Sequence, residues 1–124
     1  MRNTLRNLND RFSHFIGTQN YYVHFSRGFV FTDGVKAVAD QYQAYWLIDV
    51  IASHQTNKKI RTKYFQIWTI FSTGDKAFIE MRPDSDQPVL VKQHIPFTDF
   101  PEGMMTMYYI DDGSNKVLLL PSEY

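Results

Sequence analysis

The run YFQIWTIF at residues 64–71 decides the fold. Aromatic and β-branched side chains fill it, and such residues fit the pleated, half-buried surface of a sheet. Four more runs of β-formers follow, over Ala77–Arg82, Val89–Ile95, Met104–Ile110 and Lys116–Leu120. Turn formers separate them: Ser72 to Asp75, Pro83 to Pro88, and Asp111 to Asn115 with Asp112-Gly113 inside. Short turns join neighbouring strands in antiparallel fashion. The second half of the chain therefore reads as an antiparallel meander sheet of about five strands.

Upstream of Tyr64 the period is helical. Leu5, Leu8, Phe12, Phe15 and Ile16 recur at spacings of three and four, which predicts a first amphipathic helix over Thr4–Phe15, ended at Gly17. Tyr21–Phe25 and Phe29–Thr32 suit a hairpin or two short strands, with Ser26, Arg27 and Gly28 between them. Thr32 or Asp33 can then cap a longer helix whose face carries Val35, Val38, Ala39, Tyr42, Tyr45 and Trp46. A break near Gln41–Gln43 would leave Ala44–Ser53 as the central helix of the core. The expected architecture is α+β, a single domain over residues 1–124, with the sheet packed by two or three helices.

Composition narrows the functional classes. With 124 residues, 44% of them hydrophobic, the chain can bury a core of its own, which excludes a solvated disordered tail. There is no cysteine, hence no disulfide framework, thiolate nucleophile or cysteine metal site. The beginning MRNTLRNLNDRF has no apolar stretch of signal-peptide length, and no run is long enough to cross a bilayer, so the expectation is a cytoplasmic protein without membrane attachment.

The formal net charge is zero, yet residues 1–63 hold nine Lys or Arg against four acids and residues 64–124 hold four against nine, so the halves are +5 and −5. The sharpest excess is Lys58, Lys59, Arg61 and Lys63. Such a segment is either a solvated connection or an anion-binding patch. A pI of about 6.9 and the small footprint disfavour nucleic acid and favour a protein partner of limited extent. Acidic turns, Asp84 with Asp86 and Asp111 with Asp112, are the complementary candidates.

Catalytic signatures are absent: there is no glycine-rich phosphate loop, nucleophile elbow or dinucleotide fingerprint. His14, His24, His54 and His94 lack metal-ligand spacing, and no metal or cofactor is expected. Asp49 stands out because it interrupts the apolar run YWLIDVI, where burial would demand a partner. A tyrosine, a histidine or backbone amides could supply one, and His24 is a candidate. A surplus of aromatics, with Met104, Met105, Met107, Tyr108 and Tyr109 clustered, exceeds what one sheet face must bury and suits either a core or an interface.

Gly17-Thr18, Tyr22 with His24, Thr32-Asp33-Gly34-Val35, Ala44 to Asp49 with Gln55, Phe65 to Trp68, Ile95 to Pro101 and Leu118 to Tyr124 together resemble a family of small bacterial proteins of unknown function. The resemblance spans nearly the whole chain. It departs at Arg82–Pro88, where the family has a more acidic, glycine-rich turn. It implies a stand-alone accessory protein, often of plasmids or phage-like elements, and carries no catalytic residue across. The expected function is accordingly that of a non-enzymatic binding protein of a mobile element, an anti-CRISPR inhibitor being one concrete version. The alternatives are a small enzyme or ligand-binding domain using Asp49 and His24, and a weak nucleic-acid binder acting through residues 58–63.

Overall fold

A computed structural model describes residues 5–26 and 28–124. Seven strands form one mixed sheet: β1 (Tyr21–Val23), β2 (Val30–Thr32), β3 (Phe65–Ser72), β4 (Ala77–Arg82), β5 (Val91–Ile95), β6 (Gly103–Asp111) and β7 (Lys116–Leu119), in the order β1-β2-β7-β6-β3-β4-β5. The helices are α1 (Asp33–Tyr42), α2 (Tyr45–His54) and the single turn α3 (Lys58–Arg61). Burial alternates residue by residue along β3, β4 and β6, as the period of two requires when one face is covered. Trp68, Ile70, Ile79, Met81, Met105 and Met107 point into the core, where Val35 and Val38 of α1 and Leu47, Ile48 and Ile51 of α2 meet them.

The α+β class with segregated helices is observed, but the five-stranded antiparallel meander is not. The sheet has seven strands, and β2 pairs with β7 in parallel, Val30 beside Val117 and Phe31 beside Leu118. Two short strands cannot stand alone as a hairpin, so β1 and β2 dock on β7 and extend the sheet. Nor does β6 follow β5. It pairs with β3, because residues 96–102 cross the sheet end and bury Phe100 edge-on against Tyr42 at 5.2 Å between ring centroids. Ser72 Oγ donates to the Phe100 carbonyl at 3.0 Å and holds the crossing there.

The helix expected over Thr4–Phe15 is replaced by one 3-10 turn, Leu8–Phe12; Thr4 lies outside the described residues. The apolar stripe is used, since Leu8 and Phe12 are buried, but the flanking backbone has another task. β7 covers only one end of β6, and the segment at residues 6–9 pads the rest of that edge. Met104 N donates to the Arg6 carbonyl, and the Asn9 side chain accepts from Thr106 N at 2.8 Å and donates to its carbonyl at 2.9 Å. Unpaired strand groups are expensive to leave bare, so the edge outcompetes the helix. Gly103 permits the approach: its φ is +143°, and a Cβ there would sit 2.7 Å from the Arg6 carbonyl oxygen.

Thr32, not Asp33, caps α1 by accepting from Val35 N at 3.3 Å. The break at residues 41–43 falls on Gln43, whose left-handed φ of 50° turns the chain into α2. Asp33 instead gathers the preceding loop, accepting from Gln19 N, Asn20 N and Tyr22 Oη. Chiefly the Gln19 amide, then the Tyr22 hydroxyl and the Asn20 amide, hold its carboxyl at about 2, below the ordinary 3.8. A depressed folded-state value means stability fully present above the unfolded value and lost as pH falls from about 3.8 through about 2. Asp33→Asn is therefore expected to melt lower than wild type at neutral pH, with the two melting curves converging between pH 4 and pH 2. Thermal melts across that range check it.

Candidate functional site

All the charged candidates meet at one end of the sheet. β3 begins beside the end of β6, Phe65 opposite Ile110, and beside the end of β4, Ile67 opposite Arg82. β5 begins beside that same end of β4, with Val91 opposite Met81. The segment leading into β3, the β4–β5 turn and the β6–β7 turn thus share this end, and the basic residues at 58–63 lie between the two acidic turns. The +5 and −5 halves of the sequence are interleaved here. Asp111 N donates to the Tyr64 carbonyl at 2.8 Å, which ties the acidic turn directly to the residue after Lys63.

Lys58, Lys59, Arg61 and Lys63 are exposed, and none belongs to an ion pair among the described residues. Their backbone is rigidly anchored. Ile60 is buried at the middle of α3, and Asn57 caps the turn by accepting from Lys59 N at 2.9 Å. Below it Gln66, wholly buried on the core face of β3, pairs head to head with the Gln55 amide through bonds of 2.8 and 3.0 Å. Its Nε2 also donates to the Ile60 carbonyl at 3.0 Å, and its Oε1 accepts from Trp68 Nε1 at 2.9 Å. A cleft of roughly 430 Å³ opens between this turn and Leu90, with Lys59 and Lys63 on its wall.

Asp84, Asp86 and Asp112 are exposed and Asp111 half-buried. Three of these carboxylates shape their own turns: Asp84 accepts from Ser85 N, Asp111 from Gly113 N, and Asp112 from both Ser114 and Asn115 N. The Asn115 amide, followed by that of Ser114, lowers the Asp112 carboxyl below its usual range. In each of these three the second carboxylate oxygen accepts no hydrogen bond among the described residues.

Asp49 and His24 do come together, with Nε2 of His24 at 2.8 Å from Asp49 Oδ1. Burial is divided unequally, which corrects the expectation of a buried carboxylate. His24 is 4% exposed, whereas the Asp49 side chain is 52% exposed on the outer side of α2. The exposed flank of the helix lets water solvate the carboxylate, so the apolar run costs it little. The imidazole lies parallel to Phe29, 4.9 Å away. Its Nδ1 accepts from the Ser26 amide at 3.1 Å and contacts Ser26 Oγ at 2.8 Å, so the neutral ring carries its proton on Nε2 and donates it to Asp49. Ser26 Oγ in turn accepts from Gly28 N. The set closes the β1–β2 turn onto α2.

Sequence reasoning passed over Gln66 and Glu123 as organising residues. Glu123 reaches back to the start of α1, accepting from Thr32 Oγ1 at 2.6 Å, Gly34 N at 3.0 Å and Leu120 N at 2.9 Å. A glutamine between strand residues and a glutamate after a proline are ordinary in any sequence; only their distant partners distinguish them. Of the surplus aromatics, Trp68, Phe100 and Tyr109 enter the core, Phe97 is 86% exposed, and Phe65, Phe71, Phe78 and Tyr108 line the sheet face opposite the helices. No described helix is long and apolar enough to cross a membrane.

Neither a curated protein nor a solved structure matches the chain. A family profile does, over residues 6–124, the span that contains every strand, both longer helices and the charged end. The chain belongs to the Family of unknown function (DUF6876).

Proposed function

We propose that the protein is a non-enzymatic binding module that engages a protein partner through the charged end of its sheet. One observation carries this reading: the topology sets four exposed cations between two fixed acidic turns, Asp84/Asp86 and Asp111/Asp112. A polyanion approaching Lys58, Lys59, Arg61 and Lys63 would meet those carboxylates on either side, which disfavours nucleic acid. A protein surface with alternating charge complements both signs, and such complementarity accelerates encounter and fixes register. Occupying the surface of a host-defence protein, as an anti-CRISPR inhibitor encoded on a mobile element does, is the specific version we favour.

The test is capture from a nuclease-treated bacterial lysate with tagged wild type and with a Lys58→Glu, Lys59→Glu, Arg61→Glu, Lys63→Glu variant. A stoichiometric protein held by wild type, weakened about tenfold or more in the variant and at raised salt, is the expected result. Equal capture by both proteins removes the charged end as the docking site. The second reading, a small enzyme or ligand site, is favoured by the 2.8 Å His24–Asp49 contact. It fits less well, because Ser26 and Asp49 already engage both ring nitrogens.

A further inference from the structure

The sheet face opposite α1 and α2 is largely aromatic and aliphatic along β3 and β6, and neither helix covers it. Its residues lie in four rows across the strands. Phe71 and Phe78 stack at 4.8 Å in the first, and Thr69 and Thr106 bond each other at 3.1 Å beside Glu80 in the second. Ile67 and Tyr108 lie beside Arg82 in the third, while the fourth runs through Phe65 and Ile110. Tyr124, 76% exposed, leans over Phe65 and Tyr108 with centroids 5.9 and 5.6 Å away. Aromatic enrichment, with Met104 beside Phe71, is the composition of an interface centre, and it exceeds what a solvated sheet face requires.

We propose that a second copy of this chain covers this face, two sheets packing front to front into a helix–sheet–sheet–helix sandwich. Area is the first argument. Seven strands about 4.8 Å apart, rising about 3.3 Å per residue over up to eight or nine residues, present on the order of 600 Å². Stable interfaces bury about 600 to 1,000 Å² per partner, so one copy reaches the lower end of that range.

Charge pattern is the second argument. The charged side chains of this face are Glu80 and Arg82, two residues apart on β4 and 3.8 Å from each other within the chain, and Lys92, beside Glu80 on β5 with its ammonium 4.6 Å from the Phe78 ring. The middle of the four rows falls between Glu80 and Arg82. A two-fold axis in the plane of the interface, crossing the strands there, lays each strand over its own copy in reverse. Glu80 of one copy then faces Arg82 of the other, twice, and the Phe71 row faces the Phe65 row. Glu80 and Arg82, placed symmetrically about the centre, make the β4 row self-complementary, as an isologous contact demands. The chain's net charge of zero adds no repulsion between copies. Because this axis reverses the strands, the charged ends point away from each other and both stay open to partners.

Sedimentation equilibrium and light scattering of the full chain test the proposal. At high micromolar concentration the expected mass is twice 14.6 kDa. Ile67→Glu should give a monomer with an unchanged circular dichroism spectrum. Because that variant could lose its fold, Glu80→Arg and Arg82→Glu provide an independent readout at the sheet's charged side. Each single change should weaken dimerisation about tenfold or more, and the double exchange, which restores opposite charges across the axis, should recover it. A wild-type mass of one chain overturns the proposal. So does a dimer indifferent to these charges, or a double exchange no better than the singles.

Discussion

Replacing Gln66 by alanine should lower stability by about 3 kcal/mol, the largest single effect expected of any polar residue in this protein. Its wholly buried amide holds four groups from three parts of the chain: both ends of the Gln55 amide, the indole N–H of Trp68 and the carbonyl of Ile60. Alanine leaves the buried Trp68 donor without an acceptor, and the Ile60 carbonyl keeps the Lys63 amide but loses its side-chain donor. The orphaned indole N–H costs about 1–3 kcal/mol, a low-dielectric surrounding raises that cost, and the lost bond to Ile60 adds about 1 kcal/mol. Gln55 is half-buried, so water repairs part of the loss on its side. For a chain of this size the drop in melting temperature should be about 10 °C. Gln55→Ala should cost clearly less, because Gln66 retains its bonds to Trp68 and Ile60. Hydrogen exchange should also show faster opening of residues 57–63 in Gln66→Ala, since the variant unties the backbone that displays the four cations. Melting curves in which Gln55→Ala is as damaging as Gln66→Ala would show that the network acts only as a link between the two amides.

Glu123→Ala is the second large effect, expected at about 2–3 kcal/mol. Its carboxylate accepts from Thr32 Oγ1, Gly34 N and Leu120 N, and it sits in the first turn of α1, where an anion also balances the partial positive charge of the helix end. Thr32 Oγ1 simultaneously accepts from Val35 N, so the glutamate orients the residue that caps the helix. Space is tight: a Cβ on Gly34 would come within 2.6 Å of the carboxylate, which explains a glycine in the first turn. Glu123→Gln keeps one acceptor oxygen and should lose about half as much, because its amide nitrogen must face another donor. Urea unfolding should show a lower midpoint at unchanged slope. A lower slope instead would mean that the C-terminal segment opens before the rest.

The sequence carried most of the local structure. The β-forming runs over Tyr64–Phe71 and Met104–Ile110 are strands, as their residue types require, although on β3 the polar Gln66 takes the core face and Phe65 and Ile67 the other. A cap at Thr32 or Asp33 and a break near Gln41–Gln43 were legible, since capping oxygens and helix ends act within a few residues; the structure selects Thr32 and Gln43. The helix read into Thr4–Phe15 shows the limit of this logic. Its stripe was real, but the free edge of β6, almost a hundred residues away in sequence, recruited the backbone through Asn9. In the candidate site, the cations and acidic turns could be named from charge alone, while their interleaving could not.

Composition and period by themselves determined a mixed α/β chain with its cations before Tyr64, its acids mostly after, and more aromatics than one core needs. Tertiary structure alone decided that β6 pairs with β3 and that β2 runs parallel to β7. It also decided that Asp49 meets His24 on an open helix flank, and that Gln66 and Glu123 anchor segments distant in sequence. Periodicity is a local record of which side of an element is buried. Pairing order, burial of a particular carboxylate and completion of an amide network depend on where the chain returns, and that is settled only when the whole core closes.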